Sequence, residues 1–442
     1  MSDVDRARRR NLLAVGQAML AGCAVTEEQH LAHEPKARGT QTPFGTTETA
    51  DAPSSVVTPE LAAHLDPNRV PKRMLALDGG GLRGVFTLEF LDSMEAELRR
   101  RTGNNALLLR DYFDLIGGTS TGSIIAAALA CGMSVAQLKA LYAELGPYVF
   151  KPSWLRRGLF TPKFDADRVT EALAKQLGAN TTLGSEQVRT GLLIVTKRLD
   201  TGSSWPVHNH PNGRYGPQNR ALHLIDVVRA STAAPTYFQP QLITIGSRTG
   251  RTIQGAFVDG GVSPFNDPAL QLLATAVLQG YGFGWRTGSD NLLLISVGTA
   301  RYHAGYKAEN IVSMAPALQG LASLQSLMDD DAQVNQMMLQ WLTLCLTPWV
   351  LDRELGDMKT DSEKGPRLAT YARFDALLDH DWLRQNLGVD WTDEQISDAA
   401  QMDKPENMKM VAELGRKAAD RQFRTEHLPA RFDLPAQKRG GG

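Results

Sequence analysis

Twice in the first third of the chain, an apolar strand-like run enters a cluster of glycines and leaves it as a helix. The first passage runs Met74-Leu75-Ala76-Leu77, then Asp78-Gly79-Gly80-Gly81-Leu82-Arg83-Gly84, then the helical pattern Val85, Phe86, Leu88, Leu91, Met94. The second runs Tyr112-Phe113-Asp114-Leu115-Ile116-Gly117, then Gly118-Thr119-Ser120-Thr121-Gly122, then the alanine-rich Ser123-Ile124-Ile125-Ala126-Ala127-Ala128-Leu129. A strand followed by a crossover helix, repeated, commits a chain to an α/β architecture with a mainly parallel sheet and helices on both faces. Strands are expected over residues 73–77, 112–117, 190–198, 257–259 and 292–297. In such a sheet the working loops sit at the C-terminal strand ends, where both glycine clusters fall.

The second cluster reads G-x-S-x-G. A serine on a sharp strand-to-helix turn is a nucleophile elbow, and Gly118 and Gly122 leave room for the turn and an incoming substrate. The helix beginning after Ser120 aims its N-terminal N–H groups at a reacting carbonyl. The first cluster also fits a dinucleotide loop, since Gly79, Gly81 and Gly84 match G-x-G-x-x-G. No acidic residue stands in a second-strand position about 20 residues on, as that fingerprint requires. The better reading is an oxyanion loop of Gly79, Gly80 and Gly81 serving Ser120. Downstream, Phe257-Val258-Asp259-Gly260-Gly261 puts a carboxylate at a strand end, a candidate general base. A Ser-Asp/Glu-His triad is the alternative. After Asp259 the histidines are His303, His380 and His427, of which His303 follows a strand most closely. His208 and His210 have no further ligand at metal spacing and read as a polar loop.

These three motifs, in this order, resemble the patatin-like phospholipases. Ala230-Ser231-Thr232-Ala233-Ala234-Pro235-Thr236-Tyr237-Phe238 and Leu292-Leu293-Leu294-Ile295-Ser296-Val297-Gly298-Thr299 resemble further family segments. The one departure is Gly261, where alanine is frequent. The resemblance covers residues 72–299 and implies a three-layer patatin-like fold. It also implies a Ser120–Asp259 dyad without histidine, metal or organic cofactor. Ser120 would attack an ester carbonyl, and Asp259 would take its proton and later activate water. Arg83 would brace the loop or meet an anionic headgroup. Gly84, Gly118, Gly122, Gly260 and Gly261 would support the motifs. The implied substrate is a phospholipid or lysophospholipid at a membrane surface. A non-lipid carboxylesterase, a non-catalytic lipid-binding scaffold and a ligand-gated effector are the rival readings.

A formal net charge of −1 argues against nucleic acid as the main partner. No run of 18 or more apolar residues is present, so no transmembrane helix is expected. Arg6, Arg8, Arg9 and Arg10 precede a modestly apolar stretch ending Leu20-Ala21-Gly22-Cys23. This resembles a bacterial lipoprotein signal with Cys23 as the acylated residue, and Arg9-Arg10-Asn11-Leu12-Leu13 resembles a twin-arginine export signal. The expected localisation is the bacterial cell envelope, with a cytoplasmic enzyme as the alternative. Cys131 and Cys345 read as free thiols in apolar helical surroundings.

The expected organisation is a signal (1–23), a flexible tether (24–71), a catalytic core (72–300), a helical C-terminal extension packed on the core (301–430) and a tail (431–442). Within these, residues 136–149, 323–346, 375–387, 392–402 and 405–423 read as helices. Trp154, Leu155, Leu159 and Phe160 form a candidate lipid-touching loop. Trp341, Trp349 and Val350 are candidates to line an acyl channel. The oligomeric state is not legible.

Overall fold

The computed structural model describes residues 57–150, 163–248, 251–302, 308–351, 356 and 365–435. The readings on Cys23 and the rest of 1–56, on the 151–161 loop, on His303 and on the tail beyond 435 lie outside these residues.

In chain order the main elements are α1 (Pro59–Leu65), β1 (Lys72–Leu77), α2 (Gly84–Thr102), β2 (Leu115–Thr119), α3 (Thr121–Ala130), α4 (Val135–Val149), α5 (Ala166–Leu177), β3 (Gly191–Arg198), β4 (Ser203–His208) and α6 (Leu224–Ser231). There follow β5 (Gln241–Arg248), β6 (Arg251–Asp259), α7 (Ala269–Val277), β7 (Leu292–Val297), α8 (Pro316–Leu342), β8 (Leu344–Cys345), β9 (Thr370–Phe374) and α9 (Met408–Gln422). The strands form one sheet in the order β5-β6-β3-β2-β1-β7-β9-β8, with β4 also paired to β3. From β3 to β8 every neighbouring pair is parallel, whereas β4, β5 and β6 add antiparallel.

The alternation along the central strands explains the layering. In β1, Leu75 and Leu77 enter one core with Phe86, Phe90 and Met94 of α2 and the apolar side of α3. Met74 and Ala76 enter the opposite core with Leu272 and Leu273 of α7. Both faces are covered, so β7 and the Met74–Leu77 part of β1 run nearly continuously apolar rather than alternating with polar residues. α9 lies on α2, where a Cβ at Gly415 would come within 2.9 Å of the Phe86 backbone.

Three expectations are corrected. The segment read as a purely helical extension also supplies β8 and β9, and β9 pairs with β7 inside the sheet. Its sequence, TYARF, hides the strand because a buried arginine occupies a core position. The tether reading fails for its last stretch. Thr58 caps α1 by accepting the Leu61 N–H, and Leu61 and Leu65 bury on the sheet. Each such leucine contributes about 1.5–3 kcal/mol of burial. His208 and His210 do not form a polar loop. They are buried, with their rings against Phe283 at 5.4 and 4.4 Å. Burial pulls both down to about 4, so they are neutral.

Smaller shifts occur elsewhere. Cys345 stands on a strand rather than a helix. The helix expected at 375–387 spans His380–Leu387, because residues 370–374 are strand. The helix expected from 405 begins as a 3-10 turn, Pro405–Asn407.

Candidate active site

β2 delivers Ser120 and β6 delivers Asp259. Thr119 pairs with Val195 and Asp259 pairs with Thr196 along the same edge of β3, whose other edge is taken by β4. Two residues 139 apart in sequence therefore meet at one level of the sheet. The Ser120 hydroxyl donates to Asp259 Oδ2 at 2.6 Å. Asp259 reaches this level on an antiparallel strand, whereas the two glycine turns leave parallel strands.

The elbow is strained. Ser120 has φ 52° and ψ −122°, outside the region ordinary residues occupy. Its surroundings enforce this. Ser120 N–H donates to Ser231 Oγ at 2.9 Å, and Ser231 in turn donates to Val195 O at 2.7 Å. A Cβ on Gly118 would overlap the Gly122 carbonyl, and one on Gly122 would overlap the Leu77 carbonyl. Thr121, the first residue of α3, is held by Tyr142 of α4 through a hydroxyl–hydroxyl bond.

Asp259 is buried. Burial pushes its carboxyl up to about 6, against the bond from Ser120, the Gly261 N–H and the Arg229 charge. The Gly261 N–H donates to Asp259 Oδ1 at 2.7 Å. At pH 7 the ionised form then exceeds the acid about tenfold. A carboxylate bonded directly to the hydroxyl and ionised near neutrality has the geometry and basicity of a general base.

The glycine loop differs from the expectation in one donor. Gly79 N–H donates to Asn266 O at 3.1 Å, so it is not available to an oxyanion. The N–H groups of Gly80, Gly81 and Thr121 have no protein partner among the described residues. All three residues line one cavity with Ser120 and Asp259. Gly81 has φ +58°, and a Cβ there would overlap the Met402 carbonyl. Arg83 braces the loop: its Nη1 donates to Ala300 O at 2.8 Å and its Nε to Gly80 O at 3.4 Å. A Cβ on Gly260 would overlap the Val195 carbonyl, whereas one on Gly261 would meet only the Asn266 side chain at 2.8 Å and Asp259 Oδ1 at 3.1 Å.

The cavity holds about 400 Å³. Behind the polar mouth its walls are Ile124, Leu145, Val149, Leu173, Phe150 and Phe238. These come from α3, α4, α5 and the segment after α6. Trp349, a candidate channel residue, instead stacks on Trp382 at 5.5 Å. Nor do His380 and His427 reach the site: His380 pairs with Asp393, and His427 packs on Phe374 and Phe423. Among the described residues no cluster of three metal-ligating side chains occurs, and no helix is long and apolar enough to cross a membrane.

Sequence reasoning missed Asn266, Ser231, Tyr142 and Arg373. Each acts through a distant segment, and only Ser231 lay in a stretch singled out as family-like.

Over 208 residues the chain is 34% identical to a cGAMP-activated phospholipase of Escherichia coli strain TW11681, covering 46% of this chain and 55% of that protein. A cGAMP-activated phospholipase of Vibrio cholerae is 32% identical over 208 residues, covering 45% and 56%. Patatin group J-1 of Solanum tuberosum is 29% identical over 267 residues, covering 57% and 67%. The chain spans just over half the length of the two bacterial relatives. The sequence profile described as patatin-like phospholipase matches residues 75–273, so this stretch of the chain is similar to the patatin-like phospholipases.

Proposed function

We propose that the protein hydrolyses carboxylic esters of phospholipids or lysophospholipids through a Ser120–Asp259 dyad. The observation that carries this is the 2.6 Å Ser120–Asp259 hydrogen bond at the mouth of an apolar cavity. Ser120 Oγ attacks the acyl carbon while its proton passes to Asp259. The N–H groups of Gly80, Gly81 and Thr121 receive the developing oxyanion. The ester C–O bond breaks, and the leaving alcohol takes the proton from Asp259. Water, deprotonated by Asp259, then attacks the acyl-enzyme; the acyl–Oγ bond breaks, Asp259 returns the proton to Ser120 Oγ, and fatty acid is released. The apolar walls take the acyl chain, each buried methylene contributing about 0.8 kcal/mol.

A fluorophosphonate probe should label the wild type and not Ser120→Ala. Fatty acid release from phospholipid liposomes should fall to one common floor in Ser120→Ala, Asp259→Asn and the double variant. Labelling with hydrolysis of short soluble esters alone would instead identify a non-lipid carboxylesterase. A loss of about three orders of magnitude in His303→Ala would replace the dyad with a triad.

The names of the two bacterial relatives favour a second layer: hydrolysis gated by a cyclic dinucleotide. Liposome assays with and without cGAMP test it, since an ungated enzyme is equally active in both. We also propose that Cys23 anchors the protein at the bacterial cell envelope. Cys23→Ser should move it from the membrane fraction to the soluble one without changing turnover on soluble ester. An unmodified N-terminus near Met1 in protein from the native host would place it in the cytoplasm.

A further inference from the structure

Arg373 stands on β9, beyond the residue-273 end of the family match. Its side chain is buried. β1, β7 and β9 are adjacent, with Ala76 beside Ser296 and Ser296 beside Arg373. The guanidinium reaches back across β7 to the end of β1. Nη1 and Nη2 donate to the two carboxylate oxygens of Asp78 at 2.7 and 2.6 Å. Nη1 also donates to Ser296 Oγ at 2.6 Å, and Nη2 to Asp375 Oδ2 at 2.8 Å. Asp267 lies 3.1 Å from Nη1.

Each acceptor adjoins the glycine loop or its support. Asp78 immediately precedes Gly79. Asp267 immediately follows Asn266, whose carbonyl holds the Gly79 N–H. Asp375 accepts the Ala300 N–H at 3.0 Å, and the Ala300 carbonyl receives Arg83, which also donates to Gly80 O. Thr299 donates to Gly79 O at 2.9 Å. The fork thus grips both flanks of the loop whose Gly80 and Gly81 N–H groups remain open.

Three buried carboxylates share this one fork, with Arg301 Nε 3.1 Å from Asp375 as the second cation. Burial and the neighbouring carboxylates push Asp78 up, and the Arg373 cation opposes that shift. Without the guanidinium the carboxylates would repel one another at the root of the loop.

We propose that Arg373 is a positioning residue that fixes the oxyanion loop through Asp78, so that the segment after residue 300 completes the active site. This rests on the hydrolase reading above. Arg373→Lys keeps the charge but loses the planar fork that spans Asp78 and Asp375. Asp78→Asn keeps the shape but loses the paired charge. In the full chain, both variants should lower kcat on the order of 10²-fold, the scale of losing one oxyanion donor. KM should stay within about twofold because the acyl cavity is untouched. The acid limb of the pH profile should stay in place because Asp259 is untouched. The double variant should be no worse than the poorer single one, since both break the same contact.

A folded Arg373→Lys protein with wild-type kcat overturns the proposal, as do losses that multiply in the double variant. If Arg373→Lys does not fold, Asp78→Asn decides: lower kcat at unchanged KM supports the proposal, and wild-type kcat overturns it. A wild-type protein that neither hydrolyses ester nor takes a fluorophosphonate label overturns both this proposal and the hydrolase reading.

Discussion

The two glycine turns look alike in sequence and are held by different means. At the elbow, the crowding atoms are backbone from the turn itself and from the adjoining β1 end. Gly118 faces the Gly122 carbonyl, and Gly122 faces the Leu77 carbonyl. At the first glycine loop, the neighbours come from remote segments. Gly80 faces the Thr299 side chain, Gly81 faces the Met402 carbonyl, and Asp78 is clamped by Arg373. A turn whose glycines are crowded by its own backbone and the adjoining strand end can be read from a short motif, even though Ser231 and Tyr142 add remote support. A turn fixed by distant segments keeps its glycines in the motif but leaves its supports elsewhere in the chain.

That contrast predicts where substitutions act. The largest effect should come from Gly118→Ala or Gly122→Ala. Backbone cannot rotate away from a new Cβ as a side chain can, and forced overpacking costs about 1–3 kcal/mol or more. Circular dichroism and thermal melts should show severe loss of folded protein. A well-folded Gly122→Ala would mean the elbow is not locally determined.

Next comes Gly80→Ala. Its added methyl displaces only the Thr299 side chain, so the protein should fold with a modestly lower Tm. Turnover should nonetheless fall on the order of 10²–10³-fold, because the loop's open N–H is displaced. Normal turnover in that variant would remove Gly80 from the oxyanion hole.

The smallest effect concerns the partner of the elbow serine. With Asp259 near 6, the basic form is lost below that pH, so kcat/KM should fall about tenfold per unit on the acid side. Arg229 lowers the Asp259 pKa, so Arg229→Gln should raise it and move the acid limb to higher pH, by less than about one unit. An unmoved limb would mean that Arg229 does not act on the dyad.

The legible part of the molecule follows the same division. Five expected strands form at or near their expected positions, because each contains a short apolar run that buries in the sheet. β4 and β5 were not legible because they are antiparallel additions with mixed polarity, such as Gln241 to Arg248. β9 was not legible because Arg373 looks like a surface residue until its three carboxylates are assembled from positions 78, 267 and 375. α1 was hidden by its Pro- and Ala-rich surroundings, although Leu61 and Leu65 share one helical face. At the site, Ser120 and Asp259 could be named from their motifs. The diversion of the Gly79 N–H could not, because its acceptor lies 187 positions on, at Asn266.

The pairing of β7 with β9 bears on how portable this fold is. Every residue of the three motifs lies before position 262, so a protein trimmed to them would look complete on paper. Cutting it at residue 300 would strip the neighbour from β7, whose six residues, Leu292–Val297, are all buried. Its bare row of N–H and C=O groups would be a template for strands of other molecules, and such edges drive aggregation. The motifs are therefore not a cassette for transplantation, and the shortest unit worth expressing runs from α1 past α9 to Asp433, since Leu428 and Phe432 are buried in the core and Arg73 donates to the Phe432 carbonyl.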